Sequence, residues 1–480
     1  MDAVRIRRLK KRYRLPASAE DTRHQLDRIF GTVLDGRLEL ALERAGVSPH
    51  EQICVRVVSS HFRPRLSLSD ETVATRWSLL LAAAIQRAAA RHSSDGVARY
   101  SSRMHALTDM AVGVLRGHYR RAWAWRQLGF WCAGERPSAR GAANEMVCAL
   151  SGEPQAVIPV LIALVRFDLI GSLAARLAAD DWAALAAAAS RAVGAPAGLL
   201  HAARTPAAQS TEMATEPAAC CHRILRTSKL AALAGFVAAE VLPALALLVL
   251  IESDPVLARR GSSFLDALLP RVQEELRRLR MASIRQSASA IKTAAQTLEA
   301  PAEDSGTADS SPTHLRVEGR TDYGGLLFLL GVTDELDLPV RLSETLYPRP
   351  LAWALHRLAL TLTGAPFGDP GVLAFAGLPP DAKPPSCLED PPSDDELEFI
   401  HYSVASILAE LQKRLKHLQL PPDQLSRFVC RRAALIATDP GWIEAHFSLE
   451  DVSTELRRAR LDLDPGYVPW LGVVVKFVYG

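Results

Sequence analysis

The sequence predicts a mainly α-helical protein that carries small α+β modules near its N- and C-termini. Three observations predict this class. Apolar residues recur at helical spacing along much of the chain, and Ala is abundant while aromatic residues make up only 6%, which favours helices over a β-sandwich. Alternating apolar residues, typical of half-buried strands, are found near the two ends. Thirty Pro and 28 Gly among the 480 residues exclude one uninterrupted helix and separate the segments with linkers.

Residues 1–95 are predicted to form a β-α-β-α module. Residues 4–15 have the pattern of an extended segment, and the apolar positions within 26–41 recur as on one face of a helix. Alternation over residues 53–57 then predicts a half-buried strand. A second apolar stripe over residues 73–88 predicts the helix that closes the module.

An Ala-rich helical region is predicted for residues 96–193, and it contains the aromatic peak of the sequence. Basic and aromatic side chains interleave there: Arg120, Arg121, Trp123, Trp125, Arg126 and Trp131. Such a mixture can stack on single-stranded nucleic acid. We favour a helix–helix contact with arginines at its rim, because long basic side chains commonly cover apolar surface.

Three polar breaks divide the rest of the chain, the third of which is a Pro-rich segment at 379–395. Residues 194–222 are predicted to be a linker, followed by an apolar helical region at 223–283. Residues 284–321 are predicted to be a disordered linker, since they contain many Ser, Thr, Pro and acidic residues. Residues 322–480 are predicted to be a helical domain closed by β-strands, with alternating segments at 443–449 and 473–479.

The apolar segment 230–251 is long enough to span a bilayer. Glu240 and Pro243 lie near its middle, and a central carboxylate costs about 2.5–3.5 kcal/mol on insertion scales. We therefore expect this segment to be a helix buried in the protein or covered by a partner. Membrane contact is the alternative.

The charge of the chain is nearly balanced, with a formal net charge of +3. A dedicated nucleic-acid-binding protein is usually more basic, so we expect no nucleic-acid partner. The exception is the start of the chain, where basic residues cluster, with Arg7, Arg8, Lys10 and Lys11 at the centre. Their predicted role is to protect an edge strand or to contact a protein partner.

No sequence motif indicates catalysis, and no catalytic, cofactor-binding or metal-binding residue is predicted. The chain lacks GxxxxGK[ST], GxGxxG, HExxH and GxSxG patterns. Cys220, Cys221 and His222 are the one cluster of soft ligands, and they lack the separated pairs of a zinc site. The seven dispersed cysteines are expected to be reduced. An enzyme built from scattered residues, acting on a small molecule, is the less favoured alternative.

Three stretches, in this order, resemble a known family. The first is the opening module. The second is Asp-Tyr-Gly-Gly-Leu-Leu-Phe-Leu-Leu-Gly at 322–331, with Leu-Ala-Phe-Ala-Gly-Leu-Pro-Pro at 373–380. The third is the tail, with Gly-Trp-Ile-Glu-Ala-His-Phe at 441–447, Tyr-Val-Pro-Trp-Leu-Gly at 467–472 and a terminal strand. Together they resemble the tape-measure proteins of extracellular contractile injection systems, which are phage-tail-like particles with a sheath around a rigid tube.

The resemblance implies a structural role in assembly and no enzyme activity. It implies that the protein helps to initiate or to limit the length of the inner tube, in contact with tube, baseplate or cap proteins. It also implies a cytoplasmic location during assembly. The residues carried over as contacts or structural anchors are Gly324, Gly325, Trp442, Pro469 and Trp470. The alternative function is a membrane-associated scaffold that uses 230–251.

The length of the chain bears on the measuring role. As a single helix it would span about 720 Å, whereas folded compactly it would have a radius of gyration of only about 23 Å. A compact protein of this length is expected to be an assembly factor, unless its middle unravels inside the tube.

Overall fold

A computed structural model describes residues 20–44, 52–58, 60–65, 67–90, 96–134, 137–196, 198–199, 215–259, 262–294, 315–385 and 391–480. The chain divides into two compact units, Met1–Met146 and Val147–Gly480. The described residues are mainly helical and include a small sheet near each end of the chain, so the predicted fold class is confirmed. The basic residues Arg7, Arg8, Lys10 and Lys11 lie outside the described ranges.

The first unit combines helices with a two-stranded sheet. Its helices are α1 (Glu20–Thr32), α2 (Leu38–Arg44), α3 (Asp70–Ala90), α4 (Arg103–Arg116), α5 (Ala122–Gln127) and the start of α6 (Ala139–Gly152). Its strands are β1 (Gln52–Val55) and β2 (Val97–Tyr100). They pair antiparallel, with Ile53 opposite Arg99. Since β2 follows residue 95, this pairing extends the N-terminal module beyond the boundary that the sequence predicted.

The two helices predicted from the apolar stripes of the N-terminal module are present. The first is kinked between α1 and α2, where Gly36 adopts a φ of +104° that favours glycine. Ile29 and Val33 pack there with Val73 of α3 in a small apolar core. Trp77 of α3 lies against the core.

A buried carboxylate organises the aromatic peak. Asp109 on α4 is 7% exposed and accepts hydrogen bonds from the Tyr100 hydroxyl, Trp125 Nε1 and Arg121 Nη1, each at 2.9 Å. Burial, assisted by the nearby Asp109 carboxylate, raises the pKa of Tyr100. Trp125 and Trp131 are buried against each other with their ring centroids 5.6 Å apart. These two rings therefore form an internal contact between α5 and the segment that follows it, and they are not available to stack on nucleic acid.

The second unit contains the rest of α6 and thirteen further described helices. They are α7 (Val157–Arg166), α8 (Ile170–Arg176), α9 (Ala179–Val193), α10 (Thr215–Thr227), α11 (Leu242–Ser253), α12 (Ser262–Ala294), α13 (Leu330–Glu335), α14 (Leu338–Thr345), α15 (Leu351–Thr363), α16 (Pro370–Phe375), α17 (Asp394–Arg414), α18 (Pro422–Cys430) and α19 (Thr454–Arg458). Short 3₁₀ turns connect several of them, among them Gly324–Leu329, which leads into α13.

The expectation of one helix over the apolar segment 230–251 was wrong. Its first part forms the 3₁₀ turns Leu230–Gly235 and Ala239–Val241, and only the remainder is helical, as α11. Pro243 lies in the first turn of α11, where proline is tolerated, and Glu240 is exposed just before it. Every residue from 242 to 251 is buried, so this apolar surface is used inside the protein.

No single helix among the described residues is long and apolar enough to cross a membrane. The consecutive segments Ala139–Gly152 and Pro154–Arg166 reach that length and hydropathy only when they are counted together across a sharp bend.

Both predicted linkers are ordered in part. Helix α10 begins within 194–222, at Thr215. Its apolar face is used in packing, since Cys220 and Ile224 are fully buried. Helix α12 continues into 284–321, and strand β3 (Val317–Thr321) occupies the end of that range. The segments 200–214 and 295–314 lie outside the described residues.

The second unit contains a five-stranded sheet. Its strands are β3, β4 (Ala434–Asp439), β5 (Trp442–Phe447), β6 (Gly466–Val468) and β7 (Val473–Tyr479), in the order β3-β4-β5-β7-β6. Strands β5 and β7 are parallel and the other neighbours are antiparallel. The strands predicted near 443–449 and 473–479 are thus confirmed, and β7 is paired on both sides, as expected for a terminal strand.

A buried ion pair joins three segments of the second unit. Arg223 on α10 donates to Asp254, which follows α11, over 2.8 Å. The same guanidinium donates to the carbonyl oxygens of Pro348 and Arg349 at 2.9 and 3.0 Å. The side chains of Arg223 and Asp254 are only 15% and 3% exposed. Because buried charges are tolerated only when they are paired and hydrogen-bonded, this contact fixes the relative positions of these segments.

Replacing Arg223 by Ala should therefore destabilise the second unit strongly. The substitution leaves the Asp254 carboxylate buried without its cation, and we expect a loss of about 3–5 kcal/mol in the free energy of unfolding. Urea denaturation followed by circular dichroism measures it. The matched control is Arg278→Ala, because the Arg278–Glu275 pair is 67% and 42% exposed and should contribute less than about 1 kcal/mol. Equal, small losses in both variants would contradict the assignment.

Candidate interaction face of the five-stranded sheet

The two faces of the five-stranded sheet differ in chemistry. Side chains alternate between faces along a strand, so Ile443, Ala445 and Phe447 of β5 point into the apolar core. Trp442, Glu444 and His446 lie on the opposite side, which we call the outer face. The register places Asp439 of β4 opposite Trp442. The outer face therefore carries polar and charged side chains along β5, whereas the neighbouring strands also place apolar residues there, such as Leu435 and Val474.

Glu444 is the centre of a hydrogen-bonded cluster on the outer face. It is 8% exposed and accepts from Trp442 Nε1 at 2.8 Å, from His446 Nε2 at 3.1 Å and from Arg316. Arg316 also donates to Asp439 at 3.0 Å. Burial alone would raise the pKa of Glu444, but the hydrogen bonds from His446 and Arg316 outweigh it and lower that pKa to about 2. The carboxylate is thus ionised at neutral pH and holds β3 against β5 across β4.

A cavity of about 520 Å³ opens beside this cluster, at one end of the sheet. Its polar lining consists of Arg320, Thr321, Asp322, Asp369 and His446. The Thr321 hydroxyl donates to Asp369 over 2.6 Å, and the same Asp369 oxygen accepts the backbone N–H groups at the start of α16. Asp369 therefore serves as a helix cap. Arg320 and Asp322 are exposed and available to a partner.

The described residues that line the cavity do not form a cluster of metal ligands. Within the described ranges, no three His, Cys, Asp or Glu side chains converge as metal ligands. The outer face and the cavity together offer donors, acceptors and charges of both signs. This arrangement suits contact with another protein surface.

The cysteine cluster is part of the core. Cys220 and Cys221 are buried on α10, and both thiols are free. Burial raises the pKa of Cys220, and it raises that of Cys221 to about 11. Both therefore stay protonated at neutral pH, and a protonated thiol is neither a good nucleophile nor a metal ligand.

The two glycines carried over from the family motif are internal packing positions. A Cβ on Gly324 would lie 2.4 Å from the Ala434 Cβ, and a Cβ on Gly325 would lie 2.1 Å from the Val429 carbonyl oxygen. The Gly324 N–H donates to the Arg432 carbonyl at 2.8 Å. These glycines let the turn before α13 approach the end of α18 and the start of β4. They are anchors of the fold and do not offer a surface to a partner.

The aromatic and proline positions of the tail are divided between core and surface. Trp470 is 2% exposed and belongs to the apolar core. Pro469 is half-buried in the connection between β6 and β7, and Trp442 is half-buried on the outer face. Of the described residues predicted as contacts or anchors, only Trp442 therefore takes part in the candidate interaction face.

Sequence reasoning missed the main members of this face. Glu444 and His446 could have been found, since alternation along the predicted strand places them opposite its apolar residues. Arg316 carried no such signal, because it lies in a segment predicted to be disordered. Its pairing with Asp439 and Glu444 depends on strands distant in sequence.

Replacing Gly325 by Ala should disrupt the packing beneath the sheet. The added methyl group would overlap the backbone of α18, so we expect a loss of about 1–3 kcal/mol in the free energy of unfolding, or more if α18 cannot shift. Gly331→Ala is the matched control: a Cβ there meets nothing within 4 Å, and its position in α13 favours Ala. Thermal unfolding of both variants measures the difference. Equal midpoints would show that the close approach at Gly325 does not matter.

Glu444→Gln should remove a pH-dependent part of the stability. Because the folded pKa of Glu444 lies below its ordinary value of 4.5, at about 2, its contribution is complete above pH 4.5 and is lost as the pH falls towards 2. The stability difference between wild type and variant should shrink by about 2 kcal/mol between pH 6 and pH 3. Denaturation at several pH values measures it. A difference that does not vary with pH would contradict the proposed charge state.

Similarity to known proteins does not supply a function for this face. Comparison of the chain with protein-family models, with curated proteins and with solved structures finds no match. A function therefore has to come from the contacts and charges of the chain's own residues and from the resemblance of its terminal motifs.

Proposed function

We propose that the chain is a structural assembly protein of a contractile injection particle. It would act like a tape-measure protein, helping to initiate the inner tube or to limit its length. Its partners would be tube, baseplate or cap proteins, met in the cytoplasm. It would work through the surfaces it presents and not through catalysis.

The observation that carries the proposal is that the motifs of the second unit, which are far apart in sequence, pack together. The turn at 324–329 places Phe328 against Phe447 and Phe477, with ring centroids 5.1 and 5.0 Å apart. A Cβ on Gly377 would lie 2.7 Å from Leu471 Cδ1. The motifs at 322–331 and 373–380 thus meet the tail in one core. This supports the view that the second and third stretches of the resemblance belong to one structural unit and are not unrelated apolar segments.

The surface chemistry of this unit also supports a binding role. Its outer face combines an ordered cluster of charged and aromatic side chains with an adjacent open cavity. Such pre-ordered polar side chains lose little conformational freedom when a partner binds.

The described middle of the chain favours a compact assembly factor over an extended ruler. The longest helix among the described residues, α12, has 33 residues and would span about 50 Å. Helix α11 is buried from Leu242 to Ile251, so extending this region would expose its apolar residues to water.

Removal of the gene from the organism that encodes the chain tests the proposal. We expect that sheath-and-tube particles disappear or lose their uniform length in electron micrographs. The wild-type gene and the Gly331→Ala variant should restore them, whereas Arg223→Ala should not, since that substitution removes the buried ion pair. Particles that are normal in number and length without the gene would contradict the proposal.

A deletion of residues 298–312 separates the two modes of action. It removes no described residue and shortens an extended chain by about 50 Å. An extended ruler predicts a correspondingly shorter tube. A compact assembly factor predicts an unchanged tube, which is the result we expect.

A further inference from the structure

Strand β3 forms one edge of the five-stranded sheet. It pairs with β4 and with no other described strand. The Glu318 side chain is 52% exposed, and Arg320 is exposed as well. An edge strand offers unpaired backbone groups to another strand.

The register shows which backbone groups face outward. The Gly480 N–H donates to the Phe447 carbonyl oxygen, so the backbone groups of Phe447 point towards β7. The backbone N–H and C=O groups of successive residues point to opposite sides of a strand, so those of Glu444 point towards β4 and pair with Ala437. The backbone groups of Ile436 in β4 then point towards β3 and pair with Gly319. The N–H and C=O groups of Glu318 and Arg320 therefore point away from the sheet.

The charges along this edge are self-complementary. The sequence Arg-Val-Glu-Gly-Arg-Thr-Asp at 316–322 has Gly319 at its centre. When two copies pair antiparallel about Gly319, Glu318 lies opposite Arg320 of the second copy, and the reverse pair follows by symmetry. The same register places Arg316 opposite Asp322 of the second copy, but Arg316 already pairs with Glu318, Asp439 and Glu444 within its own chain, so the argument depends on the Glu318 and Arg320 pairs. Gly319 lies on the two-fold axis as a non-hydrogen-bonded pair, in which the two Cα atoms approach to about 4.5 Å.

We propose that β3 is a self-pairing edge through which two copies of this chain associate into one continuous ten-stranded sheet. The occupant of the edge is a second copy because charged edges normally resist pairing, whereas this charge order turns the same residues into opposite-charge cross-strand pairs. Arg320 has no ion pair with another described residue, and the second copy would supply one. The proposal does not depend on the role in a contractile particle.

The backbone contribution is also defined. Each Glu318–Arg320 pair between the two copies is a hydrogen-bonded pair, in which the two residues exchange two N–H···O=C bonds. The two symmetry-related pairs therefore give four such bonds. The short edge and exposed charges predict reversible association that weakens as salt rises, because exposed charges are screened.

Analytical ultracentrifugation over a concentration series tests the proposal. We expect the wild type to dimerise, and Glu318→Arg or Arg320→Glu to raise the dissociation constant at least about tenfold, since each reversal places like charges at two symmetry-related pairs. Arg427→Glu, an exposed change on α18, is the control and should leave dimerisation unchanged. Circular dichroism checks that every variant is folded.

Combining the two charge-reversal variants makes the test specific for this edge. An equimolar mixture of the two single variants should associate, because each then meets the opposite charge, and the double variant with both reversals should dimerise by itself. The milder pair Glu318→Gln and Arg320→Gln should weaken dimerisation less than the reversals, and it serves if a reversed variant does not fold. A wild type that stays monomeric, single variants that dimerise normally, or a mixture and a double variant that both stay apart would overturn the proposal.

Discussion

The architecture of the second unit depends on the buried ion pair between Arg223 and Asp254. Both charged groups are buried, and the attraction between them offsets the free-energy cost of removing each from water. The guanidinium also holds the carbonyl oxygen of Arg349. The Arg349 side chain in turn forms two hydrogen bonds with Glu396 at the start of α17, at 2.8 and 3.0 Å. Four charged residues thus connect helical segments that are far apart in sequence.

The same unit ends in a sheet whose two faces perform different tasks. The inner face packs on the core through close backbone approaches at Gly324 and Gly325, where a side chain has no room. The outer face is ordered by Glu444, which connects β5 to the start of β3 through Arg316 and also accepts a hydrogen bond from His446 on its own strand. Because the inner packing fixes the strands, the outer side chains are held in place before any partner binds. A rigid polar face of this kind fits a protein that acts by contact.

Much of the fold could be predicted from local sequence. The helices of the N-terminal module and the strands β5 and β7 follow from hydrophobic periodicity, which needs no knowledge of distant residues. The predictions from sequence were wrong where contacts with residues distant in sequence determine the local structure. Segment 230–251 has the composition of one helix but is broken, and residues 317–321 lie in a segment with the composition of a linker but pair with β4. In the candidate face, Trp442 was expected while Arg316 was not, since its partners lie more than one hundred residues away.

The sequence by itself determined the mainly helical class, the positions of most helices and terminal strands, and the absence of the common catalytic motifs, because spacing and residue type are local properties. The tertiary structure alone decided which polar residues are buried and paired. Asp109 and Glu444 are ordinary acidic residues in the sequence. They became centres of hydrogen-bonded clusters because the fold removes them from water and brings donors from other segments to them, Trp125 to Asp109 and Arg316 to Glu444. Burial and pairing depend on distances in space, which the order of residues does not state.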